Sequence, residues 1–229
     1  TYGAVAVPIL HEFHPTQVHD IVNHSEAKLL FVGDNVWTNL KADEMPELEG
    51  IICIKDFSLL VSRNEKITYA CENINLLFGQ KYPLNFLPEH VCYHEDQPEE
   101  LAIINYTSGT TSNSKGVMIP YRALWSNADF GYTVLSSRVQ PGDKMLSMLP
   151  MAHMYGMAFE FIFEFMYGIH VNFLTKMASP TILLKALADV KPCVIVLVPL
   201  IIEKIVRKAV LPKLQDPKVR LLMKMPVIG

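Results

Sequence analysis

A polar run separates two short apolar segments near the middle of the chain. Residues 101–105 and 116–119 have the composition of buried strands, and the run 106–117 reads Tyr-Thr-Ser-Gly-Thr-Thr-Ser-Asn-Ser-Lys-Gly-Val. Its hydroxyls belong to Thr107, Ser108, Thr110, Thr111 and Ser112. Gly109 allows backbone N–H groups to approach an anion closely, and Lys115 adds a positive charge. Together with the hydroxyls, these groups suit a polyphosphate anion. We therefore predict a phosphate-binding loop between two strands.

Two other interpretations of this loop compete with the phosphate site. An alignment of Gly109 and Lys115 with the P-loop pattern G-x-x-x-x-G-K-[ST] puts Ser114 in place of the second glycine. The same alignment puts Gly116 in place of the metal-binding hydroxyl, and a strand rather than a helix follows, which argues against a Walker-type NTPase. A flexible Ser/Thr/Gly-rich surface loop stays open on composition alone.

Strand-like and helix-like patterns alternate along the rest of the chain. Strands are predicted at 4–10, 28–32, 50–54, 143–149, 169–174 and 194–198. Helices are predicted from Pro15, at 35–40, 120–138, 153–167 and 179–190, and from Pro199. This alternation indicates an α/β fold, while residues 56–96 show no clear pattern.

Composition limits the class of protein. Half of the residues are hydrophobic and 19% are charged, which is typical of a globular chain with a sizeable core. The four cysteines form no C-x-x-C pair, so we expect a reducing, cytoplasmic environment. The longest apolar run, 194–202, is too short to span a bilayer.

Four histidines lie close together near the start of the chain and suggest a metal site. They are His11, His14, His19 and His24. No cysteine or carboxylate completes a zinc-like set at the usual spacing, so the favoured interpretation is a polar helix face and its entry loop.

The segment Leu149-Pro150-Met151-Ala152-His153-Met154-Tyr155-Gly156 follows a predicted strand. Ligands of open α/β sheets collect at the carboxyl ends of strands, so we predict a functional His153. The helix after it is apolar except for Glu160 and Glu164, which are four residues apart. That spacing predicts a core helix with one solvated edge.

Two of these segments carry a family resemblance. The run 106–117 resembles the motif [YF]-T-S-G-[TS]-T-G-x-P-K-G-V of the adenylate-forming acyl-CoA synthetase superfamily, and 149–156 resembles a second motif of that superfamily. Ser112 and Ser114 depart from the first motif, where the family has Gly and Pro. Residues 198–205 are similar to a segment of the long-chain fatty acyl-CoA ligases, and 3–8 and 27–32 resemble further family segments.

The resemblance implies that residues 1–229 are a single partial domain, part of the large N-terminal domain of such an enzyme. This domain is three-layered, with a mainly parallel sheet between helices. The implied activity joins a fatty acid to CoA through an acyl-adenylate, with ATP, Mg²⁺ and CoA as cofactors and substrates. Another adenylating enzyme, acting on aryl, short-chain or amino acids, stays open as an alternative, as do a non-catalytic nucleotide-binding domain and a structural domain.

The resemblance also implies roles for single residues. Thr107 is expected near the metal, Lys115 at the leaving pyrophosphate, and His153 near the acyl carbonyl and the path of the thiol. Contacts to the β- and γ-phosphates are expected from Ser108, Gly109, Thr110 and Thr111.

Several family features are not found in these residues. They include a Tyr-Gly-x-Thr-Glu motif, a Thr-Gly-Asp ribose-binding motif and a C-terminal domain with its adenylation lysine. We therefore expect an incomplete chain that folds but does not catalyse by itself. Apolar surface intended for the remaining part is expected to promote self-association.

The last thirty residues are locally basic. Between 200 and 229 there are seven Lys or Arg residues against two acids, although the whole chain has a net charge of −3. A solvated helix face is the favoured interpretation, and weak peripheral contact with an anionic membrane is the alternative. No nucleic acid partner is expected.

Overall fold

The computed structural model describes residues 3–107, 115–175 and 179–215, together with 217 and 219. The chain forms two compact units, Thr1–Ala123 and Leu124–Gly229. Helices and strands alternate in both units, which confirms the predicted α/β class. None of the helices within the described ranges is both long and apolar enough to cross a membrane.

Helix α1 (Pro15–His24) provides one side of the core of the first unit, as its periodicity predicts. Pro15 lies in the first turn, where its missing N–H removes no helical hydrogen bond. Val18, Ile21 and Val22 share the buried face. The core cluster of this unit contains Val18, Val22, Val32, Met45, Leu48 and Ile51.

The first sheet contains β1 (Leu29–Val32), β2 (Gly50–Cys53) and β3 (Leu59–Ser62). β1 and β2 are parallel and are connected through α2 (Asp34–Trp37) and a 3₁₀ turn, Ala42–Glu44. β3 returns antiparallel to β2. All four residues of β2 are buried because this strand lies in the centre of the sheet.

The strand predicted at 4–10 is reduced to one parallel bridge, between Ala6 and Ile103. The Ala6 N–H donates to the Ala102 carbonyl, and the Ile104 N–H donates to the Ala6 carbonyl, both at 2.9 Å. A longer parallel ladder requires the N–H two residues further on, and Pro8 has none. The prediction of a full strand is therefore wrong, for a reason visible in the sequence.

Residues 56–96, which showed no clear pattern, form β3, α3 (Glu65–Glu72), α4 (Ile74–Lys81) and a 3₁₀ turn, Pro88–His90. The Asn64 side chain caps α3 by accepting the Lys66 N–H at 2.9 Å. Arg63 donates to three main-chain carbonyls, of Ala42, Met45 and Leu48, at 2.8 to 2.9 Å. These contacts link the segment to the connection between β1 and β2.

The predicted strand pair in the middle of the chain is confirmed. β4 (Leu101–Thr107) and β5 (Lys115–Pro120) are antiparallel, with Leu101 opposite Pro120 at one end and Thr107 opposite Lys115 at the other. Helix α5 (Tyr121–Leu135) follows β5 directly.

The second unit contains a parallel sheet in the order β7-β6-β8. Its strands are β6 (Lys144–Ser147), β7 (His170–Phe173) and β8 (Val194–Ile195). The sheet-covering connection between β7 and β8 contains α8 (Pro180–Val190), capped by the Ser179 hydroxyl as predicted. β8 is shorter than the predicted strand 194–198, because only Val194 and Ile195 are paired with β6.

Two helical segments of the second unit contain π-helical turns. The first runs through α6 (Met154–Met157), a π turn at Ala158–Ile162 and α7 (Phe163–Met166), and we call residues 154–166 the glutamate helix. The second runs through α9 (Pro199–Ile205), a π turn at Val206–Val210 and α10 (Leu211–Gln215). The apolar spacing of α9 predicts Ile201, Ile202 and Ile205 on its inward face. Ile202 is exposed instead, whereas Ile201 and Ile205 are half-buried.

Candidate functional site

The open end of the β4–β5 hairpin brings Thr107 and Lys115 together. They are directly opposite in the antiparallel register, so their side chains lie on the same face of the pair, and both are exposed. Residues 108–114 lie outside the described part of the chain, and the roles of Ser108, Gly109, Thr110 and Thr111 stay predictions. The hairpin thus places a hydroxyl and an ammonium at the two ends of the predicted phosphate loop.

Tyr106 anchors this end of the hairpin inside the first unit. Its ring is buried, its hydroxyl lies 2.6 Å from Nδ1 of His24, and the two rings meet edge to face. Burial raises the pKa of the Tyr106 phenol, so it stays protonated. A Cβ at Gly116 would lie 3.1 Å from Cζ of Tyr106 and 3.0 Å from Cγ2 of Ile104, so the glycine of the motif makes room for the anchor.

The four histidines near the start of the chain have separate contacts. Nε2 of His19 accepts the Lys41 N–H at 3.1 Å, His24 bonds Tyr106, and His14 caps α1. His11 lies on the surface beside Glu12. Within the described ranges no group of three or more His, Cys, Asp or Glu side chains is arranged to hold a metal ion.

His153 lies in the second unit, between the end of β6 and the start of α6. Its N–H donates to the Pro150 carbonyl at 2.9 Å, and its imidazole is exposed. Nδ1 accepts the Tyr155 N–H at 3.4 Å and so serves as the N-cap of α6. A neutral imidazole that accepts at Nδ1 carries its proton at Nε2, which leaves this N–H free to donate to a ligand oxygen.

Gly156 explains the last position of the second motif. A Cβ on this residue would come within 2.8 Å of the Pro150 carbonyl oxygen and 3.0 Å of Cβ of Leu149. Only glycine allows the first turn of α6 to pack against the segment that leads to His153. The motif therefore combines a close approach of two backbone segments with the exposed imidazole of His153.

The glutamate helix corrects one prediction. Glu160 and Glu164 do not form a solvated edge, because both are completely buried. Oε2 of Glu160 accepts hydrogen bonds from the Ser147 hydroxyl at 3.0 Å and from the N–H groups of Met148 and Leu149 at 3.0 and 2.8 Å. Within the described structure neither carboxylate oxygen of Glu164 has a partner.

Burial raises the pKa of both carboxyl groups. It raises the pKa of Glu160, while the bonds from Leu149, Ser147 and Met148 act in the opposite direction. Burial, together with the nearby Glu160, raises the pKa of Glu164 to about 7. The spacing of the two glutamates correctly places them on one side of the helix, but it carries no sign that this side is buried.

An apolar cavity of about 530 Å³ lies within the second unit. Its walls come from α5, the glutamate helix, residues 194–197 and Ile202. Tyr155 and Phe159, which follow His153 by two and six residues, form part of its lining. The volume and the apolar walls are typical of a small-molecule site.

An α/β chain with a hydroxyl-rich hairpin loop and a histidine motif at a strand end is built like the N-terminal domain of an adenylate-forming enzyme. The chain matches the AMP-binding enzyme family over residues 1–225, and it belongs to that family. This confirms the resemblance of the two motifs.

Curated relatives include acyl-CoA ligases. Long chain acyl-CoA synthetase 6, peroxisomal, of Arabidopsis thaliana is 28% identical over 215 residues, covering 90% of this chain and 28% of the relative. Long-chain-fatty-acid–CoA ligase 3 of Saccharomyces cerevisiae is 34% identical over 133 residues, covering 56% of this chain and 19% of the relative. The chain thus spans about a quarter of the length of these relatives.

Solved structures share the fold. The N-terminal domain of FACL13 from Mycobacterium tuberculosis has a TM-score of 0.63 at 21% identity, covering 95% of this chain and 47% of that chain. ATP-bound MatB from Rhodopseudomonas palustris has a TM-score of 0.64 at 18% identity, covering 90% of this chain and 36% of that chain. They confirm the predicted fold of an adenylate-forming enzyme's N-terminal domain, with its mainly parallel sheet.

We expect Glu164 to make stability fall with rising pH. The pKa of Glu164 is about 7 in the folded chain and 4.5 ordinarily. Between these two pH values the folded chain keeps a proton that the unfolded chain has lost, and this difference in proton binding stabilises the folded chain at low pH. This stabilisation is complete below pH 4.5, declines as the pH rises, and is lost above about pH 7, with a total of roughly 3 kcal/mol. Glu164→Gln keeps the shape without the charge and should remove this part of the pH dependence.

Urea unfolding of parent and variant at pH 5 and pH 8 measures the difference. Glu203→Gln is the matched control, because Glu203 is exposed on α9 in the same unit. The control should follow the parent at both pH values. The same pH dependence in the parent and in Glu164→Gln would contradict the buried, protonated carboxyl.

Proposed function

We propose that this protein activates the carboxylate of a fatty acid with ATP and transfers the acyl group to the thiol of CoA. The observation that carries the proposal is the apolar cavity lined by Tyr155 and Phe159, on the helix that His153 caps. An alkyl chain suits such a cavity, because burial of each CH₂ contributes about 0.8 kcal/mol. Curated relatives described as long-chain acyl-CoA ligases support this substrate class.

The reaction has two displacements. A carboxylate oxygen attacks the α-phosphorus of ATP, and the bond to the β-phosphate breaks to release pyrophosphate. The sulfur of CoA then attacks the acyl carbon, and the bond to AMP breaks. The first step needs charge stabilisation at the leaving phosphates, and the second needs a donor at the acyl oxygen.

Lys115 and Thr107 suit the first step. Lys115 is exposed at the hairpin end, and no carboxylate in the described part of the chain forms an ion pair with it. We assign its ammonium to the leaving pyrophosphate and the Thr107 hydroxyl to Mg²⁺, which prefers oxygen ligands and supplies further charge neutralisation when bound. Contacts to the β- and γ-phosphates are assigned to Ser108, Gly109, Thr110 and Thr111.

His153 suits the second step. Its Nε2–H points away from the helix N-terminus that Nδ1 caps, so it is available to an acyl oxygen. We assign it a donor role at the acyl carbonyl in addition to its capping of α6, since its ring is exposed. Profiling of acyl, aryl and amino acid substrates separates this proposal from another adenylating specificity.

We further propose that both units belong to one N-terminal catalytic domain. Residues 1–229 contain no Thr-Gly-Asp ribose-binding motif and no Tyr-Gly-x-Thr-Glu motif. They supply phosphate and acyl contacts, while in-line attack also requires the ribose and adenine to be fixed. We therefore expect these residues alone to give no measurable turnover. The activity assays below therefore use a form of the protein that carries out adenylation.

Weak contact with an anionic, cytoplasmic membrane face is a further proposal. Lys204, Arg207 and Lys208 are exposed, beside exposed apolar side chains such as Leu200 and Val206. Each basic residue near such a surface contributes on the order of 1 kcal/mol. More chain should sediment with anionic than with neutral vesicles at low salt, and high salt should remove the difference. Equal sedimentation with both would return this segment to a solvated helix face.

Replacement of Lys115 tests the phosphate site. Lys115→Ala should slow ATP–pyrophosphate exchange by about 10²–10³-fold. This corresponds to the loss of about 3 kcal/mol of transition-state stabilisation, which is typical of one charge-stabilising group. Lys66→Ala, which removes an exposed lysine of α3 in the same unit, is the matched control and should leave exchange unchanged. An unchanged rate in Lys115→Ala would refute the assignment.

Replacement of His153 tests the acyl site. His153→Ala should lower the rate of acyl-CoA formation at least tenfold and leave the fold intact, because the exposed imidazole has few core contacts and loss of its cap on α6 costs only about 1 kcal/mol. Mass detection of acyl-CoA and thermal melting measure the two effects. His170→Ala, at an exposed position on β7, is the control. If His153→Ala unfolds the protein, the histidine is structural.

A further inference from the structure

The carboxylate of Glu160 holds the end of β6. Its Oε2 receives three hydrogen bonds from three consecutive residues, Ser147, Met148 and Leu149. Ser147 is the last residue of β6 and is itself buried. All three distances are between 2.8 and 3.0 Å, within the usual range of protein hydrogen bonds.

The segment that Glu160 holds continues directly into the His153 motif. Pro150 follows Leu149, and its carbonyl accepts the His153 N–H at 2.9 Å. Gly156 packs against the same carbonyl. The imidazole is exposed, so the position of its ring depends on the backbone that carries it. Glu160 fixes the beginning of that backbone segment.

Glu160 lies in the π-helical turn of the glutamate helix. Within Ala158–Ile162 the hydrogen bonds span five residues, as in the bond from the Phe163 N–H to the Ala158 carbonyl. Glu160 and Glu164, four residues apart, lie on the same buried side of the helix. Glu160 meets the three donors there, and Glu164 does not.

We propose that Glu160 is a positioning residue for acyl transfer: its carboxylate holds residues 147–149 so that the following segment presents His153 at the acyl site. Glu160 does not contact substrate and acts through His153. The proposal rests on the function proposed above for His153, and the experiments below separate the two.

A structural readout tests the contact in the 229-residue chain. Glu160→Gln keeps one oxygen that can accept the three bonds, whereas Glu160→Leu removes the acceptor. Hydrogen exchange of the Met148 and Leu149 amides should speed up at least tenfold in Glu160→Leu and much less in Glu160→Gln. Glu203→Gln, on exposed α9, should change neither amide. Unchanged exchange in Glu160→Leu would overturn the proposed contact.

A double-mutant cycle tests the functional claim in an adenylating form of the protein. Glu160→Leu should lower the rate of acyl-CoA formation at least tenfold, because small misplacement of a reacting group has effects of that size. Pyrophosphate exchange should be unchanged. In a His153→Ala background the further loss should vanish, since Glu160 acts through the missing imidazole. A purely structural Glu160 would instead give additive losses, and that result overturns the proposal.

Two further outcomes distinguish the proposals from each other. If His153→Ala has no effect, the proposed function of His153 is wrong, and with it the role of Glu160. If His153→Ala is impaired and Glu160→Leu is not, only the positioning role is wrong. Should Glu160→Leu fail to fold, Ser147→Ala removes one of the three donors and takes its place in the cycle, with a smaller loss in the same direction expected.

Discussion

A buried carboxylate oxygen, which accepts hydrogen bonds from neutral donors rather than from a cation, holds the end of β6 in the second unit. Removal of an ionised group from water is strongly unfavourable unless its hydrogen-bonding capacity is met. Glu160 meets this requirement at Oε2, with donors that are consecutive in the chain, while its Oε1 has no partner within the described residues. These hydrogen bonds therefore fix the backbone where β6 ends. The Glu160 carboxylate thus connects the glutamate helix to the strand end that leads to His153.

The two glutamates show how small differences in position separate chemical roles. Glu160 has three donors at one oxygen, whereas Glu164 has none in the described structure. Two neighbouring carboxylates cannot both ionise easily in a low-dielectric interior, so burial and the nearby Glu160 hold Glu164 in its neutral form to near neutral pH. A neutral acid beside a hydrogen-bonded carboxylate limits the buried charge of the helix.

The hairpin that carries the predicted phosphate loop depends on a different anchor. The buried Tyr106, its hydrogen bond to His24 and the space left by Gly116 hold the β4–β5 hairpin in the first unit. A hairpin held in this way keeps Thr107 and Lys115 opposite each other without requiring contacts from the polar loop between them. Rigid strands that carry a polar loop are a common way to combine ordered support with ligand contacts.

The sequence by itself determined the α/β alternation, the two strands around the polar run, and the motifs that identify the family, because these depend on local periodicity and residue type. The sequence also explains why the pairing at Ala6 is short, because Pro8 has no N–H with which to extend the ladder. Only the tertiary structure decided that Glu160 and Glu164 are buried, since a period of four predicts one helix face but not its surroundings. The three carbonyls around Arg63 and the donors around Glu160 come from residues 11 to 21 positions away in the chain, and such contacts have no local signature.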